Sequence, residues 1–253
     1  MTMAWHLIER NVMVYRRAWM IPVSGFFEPV FYLVAMSVGV GQLVGDLPGP
    51  DGRPISYVGF VAPGLLAASA MNGALSESTF QLFRKLIDGK SYQGILATPV
   101  RVADVAAGEA WWSMVRGLCY SVGFLAVALP MGGVLSWWGV LAVPGALLIC
   151  AAFAAAGQAF TSYADSFQDL ELVSFVMMPL FLCSTTFFPL STYPRWAQHL
   201  VQLTPLYHGV TLERSLTTGN IGPGIVANVA YLVVMTVVCM RVSTRQLERR
   251  LQQ

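Results

Sequence analysis

The sequence offers one near-match to a nucleotide-binding motif, at Gly89-Lys90-Ser91. These residues match the end of the phosphate-binding loop G-x-x-x-x-G-K-[ST], whose backbone amides cradle phosphates between a strand and a helix. The first glycine of that pattern falls at position 84, which is Arg84, and a long apolar run precedes it where the strand should be. We therefore expect no nucleotide site and no bound cofactor on this chain.

Catalytic and metal-binding patterns are also missing from the sequence. None of the histidines His6, His199 and His208 forms H-E-x-x-H or pairs with a nucleophile motif. No two cysteines show metal-ligand spacing, and all of them fall inside apolar runs: Cys119, Cys150, Cys183 and Cys239. We expect no catalytic residues and no metal site. His199 and His208 are interpreted as interfacial polar residues, with ligands or proton carriers as the alternative.

Composition places the chain in the membrane. Hydrophobic residues make up 56% of its 253 residues and charged residues 11%, against about 25% charged in a soluble domain. Apolar runs approach ~20 residues, enough to cross ~30 Å of hydrocarbon. Such runs leave no room for a soluble catalytic domain, and the sequence predicts a single all-α transmembrane domain over 1–253.

The order of polar and apolar segments predicts six spans. Residues 1–21 form an interfacial helix, because Trp5, Ile8, Val12, Tyr15 and Trp19 share one helical face. Residues 84–109 form a cytoplasmic segment, and residues 189–221, broken by prolines, a re-entrant segment in the outer leaflet. The predicted spans are about 22–44, 57–80, 110–130, 138–163, 172–188 and 222–240.

Basic residues give the orientation. With the amino terminus inside, eleven lysines and arginines fall on one side and only Arg53, Arg195 and Arg214 on the other. This positive-inside bias predicts that both termini are cytoplasmic.

Two charged residues, Glu28 and Arg116, fall well inside the predicted spans, whereas Glu77 falls near the end of its span. Glu28 and Arg116 each lie about two helical turns from the cytoplasmic edge, where charges are costly and usually paired. We interpret them as an intramembrane polar pair, or as separate contacts that hold helices together; a role in substrate passage is the alternative. Glu77 and Glu109 are expected to be solvated near the inner ends of their helices.

Three motifs resemble the membrane subunits of type-2 ABC exporters, most closely the NodJ-like lipooligosaccharide and daunorubicin exporter permeases. The first is Leu96-Ala97-Thr98-Pro99 with Asp104, Gly108-Glu109 and Trp111-Trp112. The second, the most specific, is Phe187-Phe188-Pro189-Leu190 with Tyr193-Pro194, Trp196 and Pro205-Leu206-Tyr207-His208. The third is the amphipathic start followed by Glu28-Pro29.

The resemblance implies a homodimeric permease driven by two copies of a separate ATPase subunit, which would hold ATP and Mg²⁺. Residues 84–109 would contain the coupling helix that enters a groove on the ATPase; a surface helix that merely links two spans is the alternative. The candidate coupling contacts are Lys90, Tyr92, Gln93, Ile95, Leu96, Thr98 and Pro99.

By the same resemblance, the first, second and fifth spans would form the dimer interface and the substrate route in a bacterial inner membrane. An amphiphile, either a glycolipid such as a lipooligosaccharide or a drug, would pass from the inner to the outer leaflet. An ATP-independent carrier is a more distant reading, and a membrane-embedded enzyme would need a catalytic set that is missing. The candidate path residues are Phe26, Phe27, Phe31, Tyr32, Asn72, Ser76, Phe175, Phe181 and Thr185.

Overall fold

The computed structural model describes residues 20–49, 52–87 and 102–251, which are almost entirely helical. The helices are α1 (Met20–Gly39), α2 (Gly41–Val44), α3 (Tyr57–Ser76), α4 (Leu82–Ile87), α5 (Val102–Ala128), α6 (Ala142–Thr161), α7 (Phe167–Cys183), α8 (Arg195–Leu203), α9 (Pro205–Thr218) and α10 (Gly224–Leu251). A π-helical segment, Glu77–Gln81, joins α3 to α4, and 3-10 turns lie at Trp137–Leu141 and Leu190–Thr192. A small antiparallel hairpin of β1 (Leu47–Pro48) and β2 (Pro54–Ile55) occupies the Gly- and Pro-rich turn before α3.

Helix α3 lies at the centre of the molecule. It packs against α1, α5, α6 and α9, and nearly all of its side chains are buried. The Ser56 side chain caps its start by accepting a hydrogen bond from the Gly59 amide at 3.2 Å. Because α3 is apolar on every face, it can bury its whole circumference among neighbouring helices.

Small residues allow α3 and α5 to approach closely. A Cβ atom added to Gly73 of α3 would lie 2.9 Å from the Gly117 Cα of α5 and 2.8 Å from the Tyr120 ring. Close backbone approach at small residues is the usual way in which membrane helices gain packing contacts. The two glycines therefore set the spacing between these helices.

We expect Gly73→Ala to destabilise the protein by about 1–3 kcal/mol, because the added methyl group must displace backbone or the Tyr120 ring. The Gly39→Ala variant is a suitable control, since a Cβ atom there meets nothing within 4 Å. Thermal unfolding of the purified protein in micelles, followed by circular dichroism, measures the difference. Equal unfolding temperatures for the two variants would contradict the packing argument.

The prediction of an all-α membrane protein is confirmed. Within the described residues, three helices are long and apolar enough to cross a membrane: Tyr57–Ile87, Trp137–Thr161 and Gly224–Arg250. The first of these is the continuous rod of α3, the π-helical segment and α4, 31 residues long. At ~1.5 Å per residue it exceeds the ~30 Å hydrocarbon thickness, so one of its ends must reach beyond the apolar layer.

Helices also occupy the other ranges predicted to span. Helix α1 ends at Gly39, five residues before the predicted end, and α5 begins at Val102, eight residues before its predicted start. The range 189–221 holds the short helices α8 and α9, as its prolines suggest: Pro194 lies at the N-cap of α8, and Pro205 is the first residue of α9.

The polar loop between α6 and α7 is closed by a capping box. The Asp169 amide donates to the Ser166 side chain, while the Asp169 carboxylate accepts hydrogen bonds from the Asp165 and Ser166 amides. These amide donors hold the pKa of the Asp169 carboxyl below its ordinary value. Arg250, near the end of α10, pairs with Asp165 and ties the same loop to the last helix.

Candidate functional site

An opening lies between α1, α3, α5 and α7. It has a volume of about 500 Å³, within the range of small-molecule sites in proteins. We call it the central cavity. Its wall combines charged and polar groups with thioether and aromatic side chains: Glu28, Tyr32, Asn72, Ser76, Arg116, Tyr120, Ser174, Met177, Met178, Phe181 and Leu182.

Arg116, one of the polar groups in the cavity wall, is held by an ion pair. The Arg116 Nη1 atom of α5 donates to the Glu77 Oε2 atom at 2.5 Å, and the two side chains are 9% and 1% exposed. The Arg116 Nε and Nη2 atoms both donate to the Tyr120 hydroxyl, at 3.1 and 3.0 Å. Charge-assisted hydrogen bonds of this kind fix the guanidinium in one orientation.

Glu77 reaches Arg116 because the backbone changes its winding there. Glu77 opens the π-helical segment Glu77–Gln81, and π-helical turns disturb the regular hydrogen-bond ladder. The Thr161 hydroxyl of α6 donates to the Ser78 carbonyl within this segment, at 3.0 Å. The expectation that Glu77 is solvated is wrong: the helical rod continues ten residues beyond it, so Glu77 is buried among helices rather than exposed at an end.

The expected solvation of Glu109 is wrong for a similar reason. The Lys85 Nζ atom of α4 donates to the Glu109 Oε2 atom of α5 at 2.6 Å. Both helices extend past the predicted ends of their spans, which brings Lys85 beside Glu109. The Glu109 side chain is 5% exposed, and the pair fastens α4 to α5.

Glu28 and Arg116 line the same cavity but do not form an ion pair with each other in the structure. Arg116 binds Glu77 instead, which begins the π-helical segment that follows α3. The Glu28 carboxylate is exposed and forms no ion pair with the described residues. It also lines an adjoining apolar opening of about 480 Å³ with Phe31, Tyr32 and Ala35.

The predicted path residues separate into three groups. Tyr32, Asn72, Ser76 and Phe181 line the central cavity, and Phe31 lines the adjoining opening. Phe27 and Phe175 are exposed on α1 and α7, Phe175 by 77%. Thr185 is buried beside a different pocket, described below. The side chain of Phe26 and all of the candidate coupling contacts lie outside the described residues: Lys90, Tyr92, Gln93, Ile95, Leu96, Thr98 and Pro99.

Sequence reasoning missed several residues of the cavity wall. Tyr120 lies one helical turn after Arg116, and this i, i+4 spacing from an intramembrane cation could have identified it. Ser174, Met177 and Met178 lie beside the predicted Phe175, on other faces of α7. After its polar first turns this helix is mostly apolar, so no clear signal in the sequence shows which face meets α1 and α3.

One of the two histidines in the range 189–221, His208, contacts the last helix. The His208 Nδ1 atom lies 2.8 Å from the Asn228 Oδ1 atom, and its ring stacks on Tyr231 at 3.9 Å. These contacts fasten α9 to α10. Among the described residues, no three His, Cys, Asp or Glu side chains are grouped so as to hold a metal ion.

The central cavity is therefore built for binding. Its polar side can solvate a polar head group, and its Met and Phe side chains can contact an apolar tail; Met adapts easily to irregular shapes. Exposed apolar side chains of α1 and α7, such as Phe31 and Met178, lead from the cavity to the surface of the molecule.

Comparison with known proteins relates the whole chain to membrane transporters. The model of the ABC-2 type transporter family matches residues 2–217. Nodulation protein J of Rhizobium leguminosarum bv. trifolii is 29% identical over 246 residues, covering 96% of this chain and 92% of that protein. Nodulation protein J of Sinorhizobium fredii is 30% identical over 246 residues, with the same coverage. The inner membrane transport permease YadH of Escherichia coli is 27% identical over 202 residues, covering 78% of this chain and 75% of YadH.

Proposed function

Because the chain belongs to the ABC-2 type transporter family, we propose that it is the permease subunit of an ATP-driven exporter that moves an amphiphile from the inner to the outer leaflet. The observation that carries this proposal is the central cavity, which joins a polar side to apolar walls. A head group needs the polar side, while its tail needs hydrocarbon or apolar protein. An amphiphile satisfies both.

The proposed substrate is a glycolipid or lipooligosaccharide. Similarity to the nodulation proteins J over nearly the whole chain supports an export permease of their kind. The alternative is efflux of an amphiphilic drug or antibiotic, and the adaptable pair Met177 and Met178 in the wall favours a site that accepts varied shapes.

The proposed assembly contains two copies of this permease and two copies of a separate ABC ATPase subunit that binds ATP and Mg²⁺. The proposed topology has six spans in the bacterial inner membrane and both termini cytoplasmic, and it would put Arg84 and Lys85 on the ATPase side. The exposed apolar side chains of α1 and α7 are the proposed contacts between permease copies. ATP-driven closure of the ATPase dimer would push on residues 84–109, and rigid helices would carry that movement to the cavity.

The direct test is reconstitution of the permease with its ATPase in liposomes. We expect vanadate-sensitive ATP hydrolysis that one class of amphiphile stimulates, together with appearance of that amphiphile in the outer leaflet. Export by the permease alone, without the ATPase, would refute the proposal and support an ATP-independent carrier.

Filling the central cavity should stop export without breaking the assembly. We expect Ser76→Phe to lower the export rate at least about tenfold, because the added ring occupies space that the head group needs (an effect of about 1.4 kcal/mol or more). Val234→Phe on the exposed face of α10 is the control. Both variants should capture the ATPase normally. An unchanged export rate in Ser76→Phe would show that the substrate does not pass through the central cavity.

A further inference from the structure

A second pocket is lined by residues of α9, by Phe60 in the first turn of α3 and by Gly49, which directly follows β1. Its volume is about 200 Å³, room for roughly six waters at ~30 Å³ each. It is separate from the central cavity and shares no residue with it. We call it the α9 pocket, and its wall comprises Gly49, Phe60, Thr185, Pro189, Leu190, Tyr207, Thr211, Arg214 and Ser215.

One face of α9 supplies four of the five polar side chains in this wall, and Thr185 supplies the other. Tyr207, Thr211 and Ser215 follow one another at intervals of four residues, and Arg214 lies three residues after Thr211. At 3.6 residues per turn this spacing stacks their side chains along one side of the helix. Phe60, Pro189 and Leu190 form the apolar wall.

The helix that carries this face is held firmly at both ends. The Thr204 side chain caps its start by accepting from the Tyr207 amide. At its other end, the Leu135 and Ser136 amides both donate to the Thr217 carbonyl at 2.9 Å. Gly219 then ends the helix in the left-handed conformation. The polar face is therefore presented in a fixed position.

Arg214 is a buried cation without a carboxylate partner. The residue is 8% exposed, and the ion pairs among the described residues do not include it. Its Nε and Nη2 atoms donate to the Phe60 and Thr185 carbonyls at 2.7–3.2 Å, and the guanidinium lies 3.9 Å from the centre of the Phe60 ring. These contacts hold the group in place, but neutral carbonyls do not cancel its charge.

The neighbouring Glu213 does not supply that charge. Its carboxyl lies on the other side of α9, against α6, where a Cβ atom added to Gly145 would meet the Glu213 Oε1 atom at 2.6 Å. Arg214 Nη1 has no hydrogen-bond acceptor among the described residues. A buried guanidinium normally requires an anion close to it.

The hydroxyl groups of the pocket are also unused. Several serine and threonine hydroxyls within the helices of this protein donate to the carbonyl four residues earlier, as Thr218, Thr236 and Thr244 do, although Ser69 and Ser243 do not. Thr211 and Ser215 lie in the same kind of helix but form no such bond, and the Tyr207 hydroxyl has no partner among the described residues either. Three hydroxyl groups and one guanidinium nitrogen that have no partner among the described residues thus belong to residues that line one small pocket.

We infer that the α9 pocket binds the phosphate of a lipid head group, with Arg214 supplying the charge and Tyr207, Thr211 and Ser215 supplying hydrogen bonds. Arginine is the side chain best suited to phosphate oxygens. The apolar wall of Phe60, Pro189 and Leu190 suits the glycerol carbons that follow the phosphate. A bound phosphate would also steady the β1–β2 hairpin, since Gly49 lies at the same pocket.

The test uses the purified permease alone in a neutral maltoside detergent, so its result does not depend on the proposed ATPase partner. Native mass spectrometry compares three probes: dioleoyl phosphatidylglycerol, dioleoylglycerol with the same tails and no phosphate, and inorganic phosphate. We expect one phosphatidylglycerol per chain, bound about tenfold more tightly than dioleoylglycerol. Equal binding of the two lipids would overturn the inference, and inorganic phosphate binding as tightly as phosphatidylglycerol would overturn the assignment to a lipid.

Matched variants separate ligand binding from folding. Arg214→Gln should abolish the preference for phosphatidylglycerol, but it also removes the bonds to the Phe60 and Thr185 carbonyls. The double variant Thr211→Val/Ser215→Ala leaves those bonds intact, and we expect it to lose at least about fivefold in binding with an unchanged unfolding temperature. Thr236→Val on α10 is the control and should bind as the wild type does. An undiminished preference for phosphatidylglycerol in the double variant would refute the proposal that the α9 pocket binds its phosphate.

Discussion

Replacing Arg116 by methionine should cost about 3–5 kcal/mol of stability, because it leaves the Glu77 carboxylate in the helix bundle without its cation. The Glu77 side chain is 1% exposed and lies 2.5 Å from Arg116 Nη1. Thermal unfolding of the purified permease, or its steady-state amount in the membrane, would show the loss.

Two further variants test whether the cost comes from the unpaired charge. The double variant Glu77→Gln/Arg116→Met removes both charges and should recover most of the stability, since a buried pair can often be replaced by neutral groups at little cost. Arg250→Met breaks the exposed pair with Asp165 and should cost at most about 1 kcal/mol. Equal losses of stability in Arg116→Met and Arg250→Met would contradict the argument that an unpaired buried charge causes the loss in Arg116→Met.

The sequence predicted the class of this protein and the positions of its helices well, because both depend on runs of apolar residues. A run of ~20 such residues has few alternatives to a membrane helix. The positions of the prolines likewise predicted that the range 189–221 forms short helices, and Pro205 begins α9.

The polar contacts inside the bundle could not be predicted in the same way. The sequence predicts a pair of Glu28 and Arg116 because both lie at a similar predicted depth in the membrane. In the structure, Arg116 pairs with Glu77 instead. Two facts decide this outcome: α3 continues as a rod to Ile87, and a π-helical segment begins at Glu77. Neither has a clear signal in the local sequence.

Helix faces were the other difficulty. Phe175 and Phe181 were predicted together as path residues, but six residues correspond to about 600° of helical rotation, which places them on different sides of α7. Phe181 lines the central cavity, while Phe175 is exposed. In an amphipathic helix the polar face would have indicated the orientation, but α7 is apolar on most sides. The spacing of Tyr207, Thr211 and Ser215 in the sequence indicates a polar face on α9. Only the structure shows that Arg214 is buried beside this face.

The largest functional effect is expected from the segment before α5. Replacing residues 89–100 with a glycine–serine linker of equal length should abolish export and capture of the ATPase, while the permease still inserts into the membrane. The segment carries one basic residue, Lys90, beside apolar side chains that include Tyr92 and Leu96, which suit docking onto a protein groove better than exposure to water. The flanking helices α4 and α5 are held together by Lys85 and Glu109, so a force applied to the segment reaches the bundle through a fixed base.

A charge reversal provides the finer test of the same segment. Lys90→Glu should lower capture of the ATPase at least about tenfold, the effect of losing roughly 1.4 kcal/mol of contact energy. Arg195→Glu makes the same change of charge at an exposed position of α8, on the side predicted to face away from the ATPase, and should leave capture unchanged. Pull-down of the ATPase with the tagged permease from detergent extracts measures both variants, with membrane fractionation as the check on insertion. Both the Lys90→Glu and the linker variants change only residues 89–100. Undiminished capture of the ATPase by both would therefore show that it docks on another part of the permease.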